Sequence, residues 1–299
     1  MPENQAPSQS LLTVSGLRKH FGGVKALDGV DFEVRAGQCV ALIGPNGAGK
    51  STCFAALCGQ HTPDAGQVHW LGAAPSHATA QNRSKPNTQP VLPTTPRPIT
   101  GWSPEALCRL GIGRTFQVAQ VFEAHTVLAN VQLAMTASRR YLGFFPLKNQ
   151  NTAAAQALLE QVGLGAQANA QANALPYGAK KRLELAIALA SGPELLLLDE
   201  PAAGLAAPER HALMALVKQL CARGMAVLYT EHNMDAVFGV ADHVLVLIDG
   251  RLAAAGSPHD IAQNETVKSR YLGMHFDESK SIAQSAAANL SAQQEGQHA

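Results

Sequence analysis

The 299-residue chain has few charged residues, few aromatic residues and no long hydrophobic run. Charged residues make up 15% and aromatic residues 5%, whereas hydrophobic residues make up 46%. This balance is typical of a globular protein with a sizeable core and argues against a disordered chain. No apolar run approaches the ~20 residues that a transmembrane helix needs. The net charge of +1 indicates no polybasic surface, so we expect no nucleic-acid partner.

Cysteine is scarce and shows no metal-binding pattern. The five cysteines, at positions 39, 53, 58, 108 and 221, include no Cys-x-x-Cys pair. We therefore expect small buried side chains in a reducing compartment rather than metal ligands or disulfides. Residues 1–10 are polar and lack the apolar core of a signal peptide, so they predict a flexible N-terminus.

Proline is concentrated in residues 73–104. Seven prolines stand there among Ser, Thr, Asn and Gln, which excludes a regular helix or a central strand and predicts an exposed insertion. Around this insertion, residues 11–273 alternate strand and helix patterns and predict one α/β domain. Three consecutive helical patterns at about 120–190 indicate a helical subdomain. Residues 274–299 predict a polar, frayed tail, with a marginal helix as the alternative.

Within this domain the hydrophobic periodicity predicts particular elements. Thr126 is placed to cap a helix that carries Val127, Val131 and Met135 on one face. A second helix is predicted over residues 152–161. The continuously apolar run 195–198 is typical of a strand buried on both faces.

Residues 44–51 fill the pattern G-x-x-x-x-G-K-[ST] of a phosphate-binding P-loop. The strand pattern 40–43 precedes it and a helical pattern follows, which is the context that the motif requires. Glycine lets the backbone N–H groups turn toward phosphate oxygens, and the helix N-terminus adds positive potential. Lys50 is expected to reach the β- and γ-phosphates and Ser51 to hold Mg²⁺. The predicted nucleotide-binding residues of this segment are Gly44, Pro45, Asn46, Gly47, Ala48, Gly49, Lys50, Ser51 and Thr52.

A Walker B pattern follows in the second half of the chain, where Asp199 and Glu200 end the leucine run. Neighbouring residues of a strand point to opposite sides, so the two carboxylates can take different roles. Asp199 is predicted to hold Mg²⁺, and Glu200 to orient and deprotonate the attacking water. Both follow the carboxyl end of a strand, where parallel α/β sheets bind ligands. An ordinary Asp-Glu-Pro turn is the alternative, which a nearby P-loop disfavours.

Two further polar residues follow strand patterns. His232 comes after a strand predicted over residues 225–230, and its imidazole could contact a γ-phosphate, although a lone histidine there is more often merely solvated. Gln117 follows the strand pattern that ends in Phe116, and its amide could touch both Mg²⁺ and the lytic water.

In this order and spacing, the motifs resemble the ATP-binding subunits of ABC transporters over nearly all of residues 11–273, apart from the insertion. Beyond the Walker motifs, Gln117 matches the Q-loop, residues 175–179 the signature, residues 203–206 the D-loop and His232 the switch. Within that superfamily the chain is most similar to the branched-chain amino acid importer type. The closer match is carried by residues 21–23, 113–117, 177–186, 201–205, 231–235 and 271–273.

The resemblance implies a P-loop NTPase core with an antiparallel β subdomain and an α-helical signature subdomain. Two ATPase subunits would sandwich two ATP molecules head to tail, with Tyr177 and Gly178 of one subunit facing the P-loop of the other. Phe21 is the candidate for stacking on adenine, and a core aromatic is the alternative. The resemblance implies ATP and Mg²⁺ as cofactors. Its catalytic residues would be Glu200, His232 and Gln117, and its metal ligands Ser51, Gln117 and Asp199.

The implied partners are two membrane permease subunits, a second ATPase subunit of the same or a different kind, and indirectly a solute-binding protein. The implied location is peripheral, on the cytoplasmic face of the plasma membrane. Three alternatives stay open. They are a urea, amide or lipopolysaccharide transporter subunit, a soluble ABC ATPase switch, and a non-hydrolysing partner subunit.

Two residues depart from the pattern of the resembled family. Pro176 stands where many signatures have Ser, and we expect function to be retained there. Ala206 stands at the D-loop position where most relatives carry Asp or Asn.

The Ala206 methyl group cannot hydrogen-bond across a dimer, so we predict weak coupling between the two ATP sites. Ala206→Asn is therefore expected to raise ATPase activity or dimer stability. Phosphate release and the ATP-dependent elution volume of the dimer measure these two quantities. No change in either would contradict the prediction.

Overall fold

The strands form two sheets, and the continuously apolar pattern of a buried strand occurs in only one of them. The computed structural model describes residues 9–72, 95–115, 121–138 and 151–271. The strands in these ranges are β1 (Ser10–Phe21), β2 (Val24–Arg35), β3 (Cys39–Ile43), β4 (Ala65–Trp70), β5 (Arg97–Pro98), β6 (Ile112–Arg114), β7 (Leu195–Asp199), β8 (Ala226–Thr230), β9 (His243–Ile248) and β10 (Arg251–Gly256). The helices are α1 (Lys50–Leu57), α2 (Pro104–Leu110), α3 (Val127–Ser138), α4 (Thr152–Gln161), α5 (Tyr177–Leu189), α6 (Ala207–Ala222), α7 (Met234–Phe238), α8 (Pro258–Gln263) and α9 (Glu265–Arg270).

The first sheet is antiparallel, with the strand order β2-β1-β4-β5. Its long strands β1 and β2 form a hairpin in which Phe21 pairs with Val24. Gly22 supports the tight turn with a positive φ of 57°. The sheet therefore carries Phe21 at a hairpin tip.

The second sheet has the order β10-β9-β3-β8-β7-β6, and every pairing except the β9–β10 hairpin is parallel. The P-loop strand β3 lies between β8 and β9, and β7 lies beside β8. The carboxyl ends of these parallel strands share one edge, where an open α/β sheet binds its ligands. The P-loop, the Walker B carboxylates and His232 all follow strands that end at this edge.

This second sheet separates two hydrophobic cores, because successive residues of a strand face opposite sides. In β3, Cys39, Ala41 and Ile43 face one core, and Val40 and Leu42 face the other. The first core contains α3 to α6, and the second contains α1 and the antiparallel sheet. A strand buried on both faces needs apolar residues at every position, which explains the leucine run of β7.

The helical region follows the predicted periodicity. The Thr126 hydroxyl accepts a hydrogen bond from the Ala129 N–H at 3.1 Å, which confirms it as the cap of α3. Val127, Val131 and Met135 are at most 5% exposed, as one apolar face requires. Helix α4 has the predicted bounds. Four of the five cysteines are buried, and all are free thiols.

The prediction that residues 73–104 form an insertion is wrong for the C-terminal part of that range. Residues 73–94 lie outside the described ranges, but Arg97 and Pro98 form the edge strand β5 on β4, and Ile99 is only 3% exposed. Pro98 is tolerated because an edge strand leaves one side of its backbone unpaired. Pro104 begins α2, where a missing N–H costs nothing, and Ser103 caps that helix. Strand β5, Ile99 and helix α2 thus belong to the packed domain.

Within the described ranges, the structure contains no helix with both the length and the apolar character needed to cross a bilayer.

Candidate functional site

The P-loop is packed so closely that two of its glycines cannot be replaced without displacing backbone. A Cβ atom on Gly44 would lie 2.1 Å from the Leu247 carbonyl oxygen, and one on Gly49 would lie 2.3 Å from the Ala26 carbonyl oxygen. Both glycines also have positive φ angles, 149° and 102°. The loop therefore rests directly on the backbone of β9 and β2, in the shape of a cradle open to phosphate.

Lys50 lies inside this cradle. Its side chain is buried, and Nζ donates hydrogen bonds to the carbonyl oxygens of Gly44 at 2.6 Å and Pro45 at 3.0 Å. Burial lowers the pKa of Lys50, and the carboxylates of Glu200 and Asp199 oppose that shift. The loop therefore holds the ammonium group by two hydrogen bonds, and the charges of Glu200 and Asp199 act on it as well.

Gly250, in the turn between β9 and β10, supports the P-loop from outside. Its N–H donates to the Ala48 carbonyl oxygen at 3.1 Å, and its carbonyl accepts from the Asp28 N–H at 2.8 Å. A Cβ atom on Gly250 would lie 2.9 Å from the Ala26 carbonyl oxygen. Nothing local in the sequence indicates this contact, because the P-loop lies some 200 residues earlier in the chain.

Tyr271, at the end of α9, is a second distant residue that meets the P-loop. It is 6% exposed, and burial raises the pKa of its phenol to about 12. The Gly44 N–H beside the phenol oxygen and the nearby Glu231 carboxylate also act on that pKa, in opposite directions. In the sequence, Tyr271 contributes only to the resemblance, as the first residue of the Tyr-Leu-Gly ending.

The Walker B carboxylates are held by the neighbouring strand β8. The Thr230 hydroxyl donates to Asp199 Oδ1 at 2.7 Å and accepts from the Glu200 N–H at 2.9 Å. Glu200 has a φ of 47°, in the left-handed region that residues other than glycine seldom occupy. The Thr230 contact therefore stabilises a strained turn at the strand end.

His232 and Glu200, predicted from separate motifs, lie in contact. His232 Nε2 and Glu200 Oε1 are 2.9 Å apart. The histidine side chain is 45% exposed and the glutamate side chain 22%, so both can be reached from solvent. A carboxylate that can take a proton is thereby paired with an imidazole that can orient it.

The signature residues contact the D-loop region. The Tyr177 hydroxyl donates to the Ala203 carbonyl oxygen at 3.3 Å. A Cβ atom on Gly178 would lie 2.5 Å from Glu209 Oε1, so only glycine fits there without moving that side chain. None of these contacts involves the P-loop of the same chain.

Ala206 is the N-cap of α6 and provides no side-chain cap, so an asparagine there would also cap this helix.

Phe21 is 45% exposed, which makes the alternative of a core aromatic wrong. Its ring lies edge-on to His61 at a centroid distance of 5.5 Å, with Lys19 Nζ at 5.5 Å from its centroid. Adenine stacking stays a prediction. Gln117 lies outside the described residues.

The remaining P-loop residues differ in exposure. Asn46, Gly47 and Ser51 are exposed, Pro45 and Thr52 are half-buried, and Ala48 is buried.

This fold and this edge define an ATP-binding cassette. The family model described as ABC transporter matches residues 27–203, and the chain belongs to this family. It is accordingly an ABC ATPase. It resembles the high-affinity branched-chain amino acid transport ATP-binding protein LivG of Salmonella typhimurium, with 35% identity over 276 residues, 89% of this chain and 99% of LivG.

Two further comparisons agree with this membership. The high-affinity branched-chain amino acid transport ATP-binding protein BraF of Pseudomonas aeruginosa is 34% identical over 279 residues, 89% of this chain and 99% of BraF. A crystal structure of an ABC transporter's ATP-binding cassette in its ADP conformation superposes with a TM-score of 0.73 at 29% identity. That alignment covers 89% of this chain and 100% of the cassette. The expected fold, with its antiparallel β subdomain and signature helices, is confirmed.

We predict that Gly250→Ala weakens both folding and ATP binding, because its Cβ atom would push on the backbone that supports the P-loop. The free energy of unfolding should fall by about 2–3 kcal/mol, and the dissociation constant for ATP should rise several-fold. Chemical denaturation and fluorescent-nucleotide titration measure these quantities.

Gly192→Ala is the matched control, since Gly192 has a similar φ of 66° and no heavy atom within 4 Å of its Cβ position. Its free energy of unfolding should fall by only about 1 kcal/mol, through backbone strain, and its ATP affinity should stay unchanged. Equal ATP affinities in the two variants would contradict a supporting role for Gly250.

Proposed function

We propose that the chain is the ATP-hydrolysing subunit of a membrane importer for branched-chain amino acids. The 2.9 Å pairing of His232 with Glu200, at the sheet edge that also carries the P-loop, is the observation that carries the hydrolytic part. The substrate class is supported by LivG and BraF, both named as branched-chain amino acid transport proteins and both similar over almost their full length.

In this proposal the P-loop N–H groups and Lys50 bind the phosphates of ATP. Ser51, Asp199 and Gln117 would hold Mg²⁺, and hydroxyl, carboxylate and amide oxygens are the ligands that this ion prefers. Bound there, Mg²⁺ neutralises charge on the phosphate oxygens.

Glu200 takes a proton from the attacking water, and His232 keeps the Glu200 carboxylate oriented toward it.

The same proposal places a second ATPase subunit, identical or different, against the signature. Tyr177 is 49% exposed, and α5 begins beside it without a side-chain cap. Backbone N–H groups at such a helix start suit a phosphate group, here the γ-phosphate of ATP on the partner's P-loop. ATP binding would then close the dimer, and hydrolysis would reopen it.

Two permease subunits would dock near the start of the helical region. Phe122 is 60% exposed there, with its ring 5.9 Å from that of His125, and it lies close in sequence to Gln117. An exposed phenylalanine is suited to bury itself in a partner. The subunit would thus sit peripherally on the cytoplasmic face of the plasma membrane, with a solute-binding protein acting indirectly through the permeases.

Glu200→Gln is expected to slow ATP hydrolysis by at least about 100-fold, because an amide cannot accept the proton of the attacking water. ATP affinity should stay within about two-fold of that of the wild type, since the P-loop is untouched. Phosphate release and nucleotide titration measure the two quantities.

Glu265→Gln is the matched control, because the Glu265 side chain is 87% exposed on α9. It should hydrolyse ATP at the wild-type rate. Equally slow hydrolysis by the wild type and Glu200→Gln would reject the enzyme role and favour the non-hydrolysing partner subunit.

Affinity purification of the tagged chain from detergent-solubilised membranes is expected to recover two permeases and a second ATPase subunit. Phe122→Asp should release the permeases while the isolated subunit keeps its ATPase activity, because a buried carboxylate has no partner in an apolar contact. Mass spectrometry of the recovered chains provides the measurement and also identifies the permeases that define the substrate.

Val24→Asp serves as the control, since Val24 is 67% exposed on the β1–β2 hairpin. Recovery of no membrane subunit, with ATP binding intact, would contradict the transporter role. Permeases of a urea, amide or lipopolysaccharide system would contradict only the substrate class.

A further inference from the structure

Glu231 is a buried carboxylate that the proposed chemistry does not use. It follows directly on β8, precedes His232, and is 4% exposed. A buried carboxylate is costly unless several hydrogen bonds compensate for the lost water. Three backbone N–H groups supply this compensation for Glu231.

The two carboxylate oxygens of Glu231 face two different segments of the chain. Oε1 accepts a hydrogen bond from the Ala202 N–H at 3.2 Å, in the turn that follows the Walker B carboxylates. Oε2 accepts from the N–H groups of His232 at 3.0 Å and Asn233 at 3.3 Å. One side chain thus joins the turn that carries Glu200 to the segment that carries His232.

Burial and hydrogen bonds act on the Glu231 carboxylate in opposite directions. Burial raises the pKa of Glu231, and the Glu200 carboxylate acts in the same direction. The three backbone N–H groups oppose that shift. After burial, which is the largest cause, the Glu231 charge also contributes to the raised pKa values of Tyr229 and Tyr271.

Thr230 provides a parallel link one residue earlier. Its hydroxyl binds both Asp199 and the Glu200 N–H. Thr230 and Glu231 together attach the whole Walker B turn to the end of β8, at a point where Glu200 has a strained backbone.

We propose that Glu231 is a positioning residue for ATP hydrolysis. Its carboxylate fixes the His232 segment against the Walker B turn, so that His232 Nε2 and Glu200 Oε1 keep their 2.9 Å contact. This inference rests on the proposed roles of Glu200 and His232.

A glutamine cannot reproduce these contacts, although it has the same shape. Its amide has one acceptor oxygen, and its NH₂ group would face either the Ala202 N–H or the N–H groups of His232 and Asn233. Glu231→Gln therefore breaks one of the two connections while the side-chain volume stays the same.

The experiment measures kcat, KM, ATP affinity and melting temperature for Glu231→Gln, alone and combined with His232→Ala. Alone, Glu231→Gln should lower kcat about ten-fold, with ATP affinity within about two-fold of the wild type. In the His232→Ala background it should lower kcat by less than about two-fold, because the residue acts through His232. The exposed Glu265→Gln variant is the matched control and should leave every quantity unchanged.

A kcat for folded Glu231→Gln within about two-fold of the wild type would overturn the inference. So would an equal loss of kcat in both backgrounds, since that marks a general structural effect. If Glu231→Gln does not fold, Glu231→Asp decides in the same assays, because it keeps the charge but withdraws the carboxylate by one methylene.

The roles of His232 and Glu231 are tested separately by the two variants. A His232→Ala variant with unchanged kcat would reject the role of His232 and the inference with it. A defective His232→Ala beside a silent Glu231→Gln would reject only the role of Glu231.

Discussion

The alignment of strand ends in the parallel sheet is the constraint on which the rest of this structure depends. Strand β3 is hydrogen-bonded to β8 on one side and β9 on the other, and β8 to β7, so their carboxyl ends occupy fixed relative positions. A nucleotide site needs a phosphate cradle, a base for water and a residue that orients this base. The residues proposed for these roles follow three different strands, β3, β7 and β8, and strand pairing brings them to one edge. The two cores pack the sheet on both faces and prevent the strands from sliding.

Loops at this edge need other support, because their backbone N–H and C=O groups are no longer paired with a neighbouring strand. In this chain the support comes from distant polar contacts. Gly250 holds the P-loop at Ala48, and Thr230 and Glu231 hold the turn after β7. The Glu231 carboxylate is buried, so this support carries a desolvation cost that its hydrogen bonds offset. An apolar residue would remove the desolvation cost there, but it would leave three backbone N–H groups without their acceptor.

The sequence predicted the strand ends and the motifs because both depend on local signals. The P-loop pattern, the leucine run of β7 and the Thr126 cap can each be recognised within a window of a few residues. Ile99 and Gly250 could not be assigned in this way. Ile99 stands in a proline-rich segment, yet it packs into the second core, and Gly250 owes its role to contacts with Asp28 and Ala48. Contacts between residues far apart in sequence leave no periodicity to detect.

The starts of two helices illustrate how a fold can leave groups available for a ligand. Helix α8 begins with a full capping box, in which the Ser257 and Asp260 side chains satisfy backbone N–H groups. Helix α5 begins after Pro176 with no side-chain cap, and its first turn carries Gly178 packed against Glu209. Uncapped N–H groups at a helix start are destabilising unless water or an anion satisfies them. Helix α5 thus lacks the side-chain acceptors that α8 has, and in the proposed dimer its first N–H groups are the ones that would meet a phosphate group of the partner's ATP.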